Sequence, residues 1–181
     1  SLQSEVQETQ SEVLERLGSV AEERSQETGD HVRRVAHYSK FIAEKLGLNE
    51  EEVNLLYLAS PMHDIGKISI PDKILNKPGK LSLSEWETMK KHPETSEKIF
   101  ASSTRPLLQA AATISLTHHE KYDGTGYPHG LKGEEIHIFG RITAVADVFD
   151  ALGSKRPYKE AWELKEILAY FKEQSGAHFD P

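Results

Sequence analysis

Histidine and carboxylate side chains recur along this chain at spacings that suit metal binding. His63 and Asp64 are adjacent, as are His118 and His119, and Asp147 lies within an otherwise apolar run. A carboxylate in such a run is costly to bury unless it has a partner. These pairs therefore predict a polar site that is enclosed by the fold.

Three further residues complete the candidate set. Glu27 precedes His31 by four residues, which places both side chains on one face if a helix begins there. A single histidine on a helix is more often a surface or hydrogen-bonded residue than a ligand, but that explanation does not suit the whole set. The candidate metal ligands are Glu27, His31, His63, Asp64, His92, His118, His119 and Asp147.

The candidate donors are nitrogen and oxygen atoms only, because the chain has no cysteine. A zinc site uses three or four protein ligands, so a set of eight predicts two or three metal ions. Such donors suit iron, manganese, zinc, cobalt and nickel. Two adjacent cations activate a shared water and hold a phosphoryl group, which predicts metal-assisted hydrolysis. Lys67, Arg156 and Lys159 would then bind phosphate, although each taken alone is better explained as a solvated surface charge.

Composition excludes several function classes. The 181 residues predict one domain, or one domain with an appendage. Without cysteine there is no disulfide framework and no thiolate nucleophile. A net charge of −7 argues against binding of polymeric nucleic acid but permits a small phosphorylated ligand. No apolar run has the ~18 residues of a membrane span, so we expect no membrane contact by this segment. We expect a cytoplasmic location, with an upstream sensor or membrane domain missing from this chain.

Apolar periodicity predicts an all-α chain without strands. The N-terminal helix over residues 1–25 carries a narrow apolar stripe, which suits either a coiled-coil seam or packing on the domain. The stripe consists of Leu2, Val6, Val13, Leu17 and Val20. The later helices are predicted over about 30–45, from Asn49 to a kink at Pro61, and over about 84–102, 106–120, 136–152 and 159–174. Glycine and proline indicate ordered loops over 67–83 and 121–133.

Several long motifs, in this order, resemble the HD-GYP branch of the HD phosphohydrolase superfamily. They are His63-Asp64-Ile65-Gly66-Lys67, His118-His119-Glu120, Gly126-Tyr127-Pro128, Ala146-Asp147-Val148-Phe149-Asp150 and Arg156-Pro157-Tyr158-Lys159. The resemblance runs from about Glu27 to Pro181. It divides the chain into an N-terminal helix over 1–25, for linkage, dimerisation or signalling, and an HD-GYP catalytic domain over 26–181.

The resemblance implies an HD-domain helical bundle that hydrolyses bis-(3′-5′)-cyclic dimeric GMP (cyclic di-GMP) to pGpG, a reaction that members of the family often continue to GMP. It implies that the eight candidates bind two or three divalent ions, with Glu27 as the extra carboxylate of three-metal members. Iron is the expected metal and manganese the next, with zinc, nickel and cobalt as alternatives. The implied catalytic residues are His63, Asp64 and Lys67. The residues implied to contact substrate or to order the site are Lys67, Tyr127, Asp150, Arg156 and Lys159.

Three functions stay open at this point. The first is an active cyclic di-GMP phosphodiesterase, which the Gly-Tyr-Pro loop and the complete ligand set favour. The second is a low-activity module that senses the dinucleotide or docks a diguanylate cyclase through the Tyr127 loop. The third is an HD hydrolase of another cyclic dinucleotide or nucleotide. A homodimer through the N-terminal helix is a further expectation.

Overall fold

The computed structural model describes residues 1–25, 27, 29–156 and 159–181. This part of the chain is helical and has two isolated bridge pairs but no strand, which confirms the predicted all-α class. The α-helices are α1 (Leu2–Glu23), α2 (Asp30–Lys45), α3 (Glu50–Ala59), α4 (Asp72–Leu75), α5 (Leu83–Met89), α6 (His92–Phe100), α7 (Pro106–Thr117), α8 (Ile138–Gly153) and α9 (Leu164–Glu173). Short 3₁₀ helices span Ser60–Met62, Ile65–Ser69 and Gly133–Glu135.

The core lies between α2, α3, α6, α7 and α8. Side chains on these helices follow the apolar periodicity of the sequence and exclude water from the centre of the bundle. Its fully enclosed members include Leu56, Ile114 and Ala111. Among the described residues, no helix combines the length and the apolar character needed to cross a membrane.

The start of α3 follows the sequence prediction. The Asn49 side chain accepts a hydrogen bond from the backbone N–H of Glu52 at 2.9 Å, and the Glu52 carboxylate accepts one from the N–H of Asn49 at 3.0 Å. This reciprocal cap satisfies two donors that a helix start leaves free. The predicted kink at Pro61 appears as the change from α3 to the 3₁₀ helix Ser60–Met62.

The prediction of one helix over 84–102 is wrong in two respects: this segment forms two helices, and the first of them begins earlier than predicted. The capping pair is Ser82 with Glu85, two residues earlier than predicted, and α5 ends at Met89. A new helix, α6, begins at His92 because Pro93, which has no N–H to donate, fits a first helical turn and not a helix interior. The break lets the His92 ring donate from Nδ1 to the Met89 carbonyl at 2.8 Å.

Helices α7 and α8 lie within three residues of their predicted bounds, whereas two other segments differ more from the sequence prediction. The loop predicted over 67–83 contains the short helix α4. The last helix begins at Leu164 instead of near residue 159, because the Glu166 carboxylate accepts a hydrogen bond from the N–H of Glu163 at 2.9 Å and caps this start. Before it, the N–H of Trp162 donates to the Leu152 carbonyl at 2.9 Å and ties this segment to α8.

The end of α1 packs tightly on the segment that follows α3. A Cβ atom at Gly18 would lie 2.0 Å from the Pro61 carbonyl oxygen, so only glycine permits this approach. The Arg24 guanidinium donates to the carbonyls of Lys67, Ile68 and Ile70 at 2.8–3.1 Å. Helix α1 is therefore bound to the chain on both sides of His63 and Asp64.

The apolar stripe of α1 faces solvent. Leu2, Val6, Val13, Leu17 and Val20 are all exposed, by 47% to 78% of their surface. The described part of the chain therefore does not cover the stripe, and of the two alternatives that the sequence left open this favours a coiled-coil seam over packing on the domain.

We predict that Gly18→Ala lowers the free energy of unfolding by about 1–3 kcal/mol, since the new methyl group overlaps the Pro61 backbone. The matched control is Gly153→Ala, where the added Cβ meets only the Ile167 side chain at an ordinary 3.5 Å. Urea unfolding followed by circular dichroism measures both. Equal stability of the two variants would show that α1 does not bind this closely.

Candidate metal centre

The candidate ligands come from five different segments that converge in the interior. His31 lies in the first turn of α2, and His63 and Asp64 follow the 3₁₀ helix Ser60–Met62. His92 begins α6, and His118 caps the end of α7. The remaining two are His119, directly after α7, and Asp147 in α8. Apart from Asp147, which lies inside α8, the candidate ligands lie at or just beyond helix ends.

Asp64 is the centre of a first cluster. Its Oδ1 atom lies 3.0 Å from Nε2 of His92, 3.1 Å from Nε2 of His118 and 3.6 Å from Nε2 of His119. The four potential ligand atoms lie within 4.8 Å of one another. One oxygen and three imidazole nitrogens at this spacing match the donors of a first-row transition ion.

Two further clusters overlap the first through shared histidines. One consists of His63, His118 and Asp147, and the other of Glu22, His31 and His63. Nε2 of His31 lies 3.1 Å from Oδ1 of Asp147, and Nε2 of His63 lies 3.6 Å from the same oxygen. Three overlapping clusters of ligand atoms agree with the predicted number of two or three metal ions.

The protonation pattern of the rings fits metal binding. Nδ1 of His63, His92 and His118 lies 2.7–3.0 Å from the carbonyls of Ser60, Met89 and Ile114, respectively. A carbonyl only accepts, so each Nδ1 carries a proton and each ring directs its Nε2 atom to the cluster, where a metal ion would bind. This outer hydrogen bonding is the pattern that orients histidine ligands in metal sites.

Two buried atoms of the centre have no hydrogen-bond partner in the described part of the chain. They are Nε2 of His63 and Oε1 of Glu22, on residues that are at least 99% buried. An unpartnered polar atom in the interior costs free energy. A cation bound between them removes that cost, so the residues present fit a metal centre.

The structure brings Glu22, and not Glu27, to the cluster. Oε1 of Glu27 lies 2.6 Å from Nη2 of Arg156, and Glu27 is absent from the clusters formed by the described residues. Oε1 of Glu22 lies 3.9 Å from Nε2 of His63. Sequence reasoning missed Glu22 because its helix carries many glutamates. The sequence feature that could have identified Glu22 is its position four residues after Gly18, which places both residues on the face of α1 that packs on the domain.

Asp150 lies behind His31 and not at an open substrate surface. Oδ2 of Asp150 accepts from Nδ1 of His31 at 2.6 Å, and Oδ1 accepts from Nε of Arg34 at 2.6 Å. Asp150 is 96% buried. Its geometry supports the ordering role that the sequence allowed, with Arg34 as a partner that sequence reasoning did not find.

Lys67 and Tyr127 contact the centre directly. Nζ of Lys67 lies 2.9 Å from Oδ2 of Asp64 and 3.4 Å from Oε2 of Glu22. The Tyr127 ring stacks on His119, with centroids 4.8 Å apart and an interplanar angle of 15°. Both residues lie where the sequence motifs place them, at the edge of the cluster.

Arg156 and Lys159 are not in contact with the ligand cluster. Arg156 pairs with Glu27, and Nζ of Lys159 donates to the Ala151 carbonyl at 3.0 Å. Pro157 and Tyr158, which belong to the same motif, lie outside the described residues. Contact of these two cations with substrate stays a prediction.

The sequence matches a known protein family over most of its length. The profile of a family described as "HD domain" matches residues 15–181. The chain belongs to the HD-domain family. The matched region includes the second half of α1, in agreement with the position of Glu22 inside the centre.

Curated relatives of this HD domain are cyclic dinucleotide phosphodiesterases by name. It is 50% identical to 3′3′-cGAMP-specific phosphodiesterase 2 of Vibrio cholerae, over 100% of this chain and 35% of the relative. It is 49% identical to the cyclic di-GMP phosphodiesterase response regulator RpfG of Xanthomonas campestris, over 98% of this chain and 47% of the relative. The chain thus spans about a third to a half of the length of the curated relatives it matches.

Two solved structures share the fold. The crystal structure of the V. cholerae cyclic GMP-AMP-specific phosphodiesterase V-cGAP3 matches with a TM-score of 0.66 and 21% identity, over 93% of this chain and 46% of that one. The HD-GYP-type protein Bd1817 of Bdellovibrio bacteriovorus matches with a TM-score of 0.65 and 23% identity, over 83% and 47%. These two structures show a shared fold, and the family match together with the curated relatives confirms the resemblance to the HD-GYP branch.

The surroundings of the centre of the HD domain raise the pKa of two of its histidines and lower the pKa of a third. Burial by itself lowers the pKa of His31, but hydrogen bonds to Asp147 and Asp150 outweigh it and raise this pKa to about 10. Burial also opposes protonation of His63, whereas the charge of Asp64 and contact with Asp147 raise its pKa to about 9. Burial and the neighbouring His118 lower the pKa of His119 to about 3. Metal binding must therefore displace protons from His31 and His63.

We predict that Asp150→Asn weakens metal binding by about 10–100-fold, because the neutral amide orients His31 and supports its basicity less well than the carboxylate. Titration of the metal-free protein with Mn²⁺ against a chelating dye measures the affinity. Asp30→Asn, an exposed change on the same helix as His31, serves as the control. An affinity within about twofold of wild type would contradict the ordering role.

Proposed function

We propose that this HD domain is a metal-dependent phosphodiesterase that hydrolyses cyclic di-GMP to pGpG and on to GMP. The observation that carries the proposal is the buried, overlapping set of nitrogen and oxygen donors around Asp64. The names of four relatives at 44–50% identity support the substrate class. Three of these relatives are named as cyclic di-GMP phosphodiesterases.

The metal ions that this proposal requires would be held by residues of all three clusters. Bound there, they would supply Lewis acidity toward a phosphoryl oxygen and activation of water. The proposed ligands are Glu22, His31, His63, Asp64, His92, His118, His119 and Asp147. Iron is the proposed metal and manganese the next, since nitrogen and oxygen donors suit both.

Lys67 is the cation that we assign to the substrate phosphate. Burial lowers the pKa of its ammonium group, but the charges of Asp64 and Glu22 outweigh burial and raise it, so the group stays charged. Its side chain is 84% buried, which makes its charge more effective than a solvated one. Lys67 would donate to a non-bridging oxygen, while Asp64 and Glu22 fix the position of its Nζ atom.

Hydrolysis of 3′3′-cGAMP is the second candidate function. It is favoured by the relative at 50% identity, which is named as specific for that dinucleotide. Both substrates present the same phosphodiester linkage chemistry to a metal centre, and they differ in one base. The low-activity sensing role and docking of a diguanylate cyclase through the Tyr127 loop stay predictions, as does the cytoplasmic location.

We predict that Asp64→Asn lowers turnover of cyclic di-GMP below about a hundredth of the wild-type rate. This loss is larger than the loss of activity expected when a residue that only orients a ligand is replaced. The change removes the charge that three histidines and Lys67 share. Anaerobically purified protein is incubated with cyclic di-GMP, 3′3′-cGAMP and cyclic di-AMP, and the products are separated by chromatography. The exposed change Asp30→Asn is the control.

The outcomes separate the candidate functions. Preferred turnover of cyclic di-GMP supports the first function, and preferred turnover of 3′3′-cGAMP supports the second. Binding without turnover in fully metal-loaded protein would support the sensing role. Near-wild-type activity of folded Asp64→Asn protein would overturn the assignment of the centre.

We further propose that the exposed stripe of α1 pairs with the same stripe of a second copy. Val6, Val13 and Val20 repeat at intervals of seven residues and are about half exposed. A seven-residue apolar repeat buries itself when two helices pack in a coiled coil. The last turn of the same helix carries Glu22, and Arg24 is its C-cap, so dimerisation would fix the position of an element that reaches the centre.

We predict that Val13→Glu shifts the chain from dimer to monomer in sedimentation velocity, because it places a charge in the apolar seam. Gln7→Glu adds the same charge at an exposed position of α1 that lies off the stripe, and it should not shift the equilibrium. If wild type sediments as a monomer at high concentration, the stripe does not pair two copies.

A further inference from the structure

A row of aromatic rings leads from the metal centre to the surface. Tyr127 stacks on His119, and the Trp86 ring meets Tyr127 edge-on, with centroids 5.6 Å apart and an interplanar angle of 80°. His92 and His118 lie beside His119 at the inner end of the row. At the outer end, Trp86 exposes 41% of its surface. A large aromatic side chain is therefore open to solvent beside the buried centre.

The position of Trp86 is fixed relative to the centre. The reciprocal cap of Ser82 and Glu85 holds the start of α5, and Nζ of Lys77 lies 2.6 Å from the Glu85 carboxylate. At the other end, the carbonyl of Met89 accepts from His92 and orients that ring. Trp86 thus lies one helical turn before the residue that positions a candidate ligand.

We propose that Trp86 is a base-binding residue, whose exposed indole stacks on one purine of a cyclic dinucleotide while its phosphodiester lies at the centre. This assignment rests on the proposed function and adds a base subsite to it. One face of Tyr127 is already covered by His119, so Trp86 presents the more accessible aromatic surface of the row. Stacking of a base on an aromatic side chain is strong and tolerates different bases.

The other tryptophan of the chain, Trp162, is 37% exposed, but its ring contacts differ from those of Trp86, which meets Tyr127 beside the centre. Trp162 lies beneath Nζ of Lys159 at 5.6 Å and contacts Tyr170 edge-on. Its ring is already engaged with a cation and another ring. Because stacking on Trp86 would accept guanine and adenine alike, it agrees with relatives named for cyclic di-GMP and for cGAMP.

The first test is a comparison of KM and kcat. We expect Trp86→Ala to raise KM for cyclic di-GMP about tenfold, the fold-change that loss of one base stack produces, with kcat within about threefold of wild type. Trp86→Phe, which keeps a stacking ring, should recover most of the affinity. Leu83→Ala, an exposed change on the same helix, is the control. A structural role of Trp86 alone would lower kcat and thermal stability and leave KM unchanged, and that result would overturn the proposal.

The second test uses fluorescence and does not depend on turnover. The chain has two tryptophans, so Trp162→Phe leaves Trp86 as the only indole emitter. Stopped-flow mixing of this metal-loaded variant with cyclic di-GMP should give a rapid, saturable quench before product appears. Turnover without a quench overturns the base subsite and leaves the proposed function intact. A quench without turnover of any cyclic dinucleotide supports the subsite and overturns the phosphodiesterase proposal.

Discussion

The carboxylate of Asp64 is the interaction on which the rest of the centre depends. It is 95% buried and contacts three histidine rings through one oxygen and Lys67 through the other. A buried charge without partners would be too costly, so its neighbours must be positively charged, donate hydrogen bonds or share a metal ion. Burial raises the pKa of this carboxyl, but Lys67 and His63 outweigh burial and hold it well below its usual range.

This constraint explains why so many helices end at the centre. His92 and His118 each donate from Nδ1 to a carbonyl of a preceding helical turn, so the backbone that ends a helix also orients the ring. Helix ends have carbonyls free for this purpose, whereas helix interiors do not. The same logic applies to α1, whose last turns supply Glu22 and the Arg24 guanidinium. The element predicted as a linker therefore contributes to the site.

The net charge of the chain gives a poor account of its local electrostatics. The excess of acidic residues over basic ones indicates an acidic protein. At the centre, however, Glu22, Asp64 and Asp147 would be offset by divalent ions and by Lys67, which can make the pocket attractive to a phosphodiester. Bound ions can be the largest charges in such a site, so a count of side chains alone omits the decisive contribution.

The sequence by itself determined the helical class, the donor chemistry and most of the ligand candidates, because apolar periodicity and the types of adjacent residues are local properties. It could not determine which glutamate joins the cluster. Glu27 has the favourable spacing from His31, but its carboxylate pairs with Arg156. Glu22 lies at the cluster because Gly18 packs on Pro61. Nor could it assign Arg34 and Asp150 to His31, since these contacts join residues more than 110 positions apart. Such pairings depend on how whole helices cross, and that is settled by the tertiary fold and not by spacing along the chain.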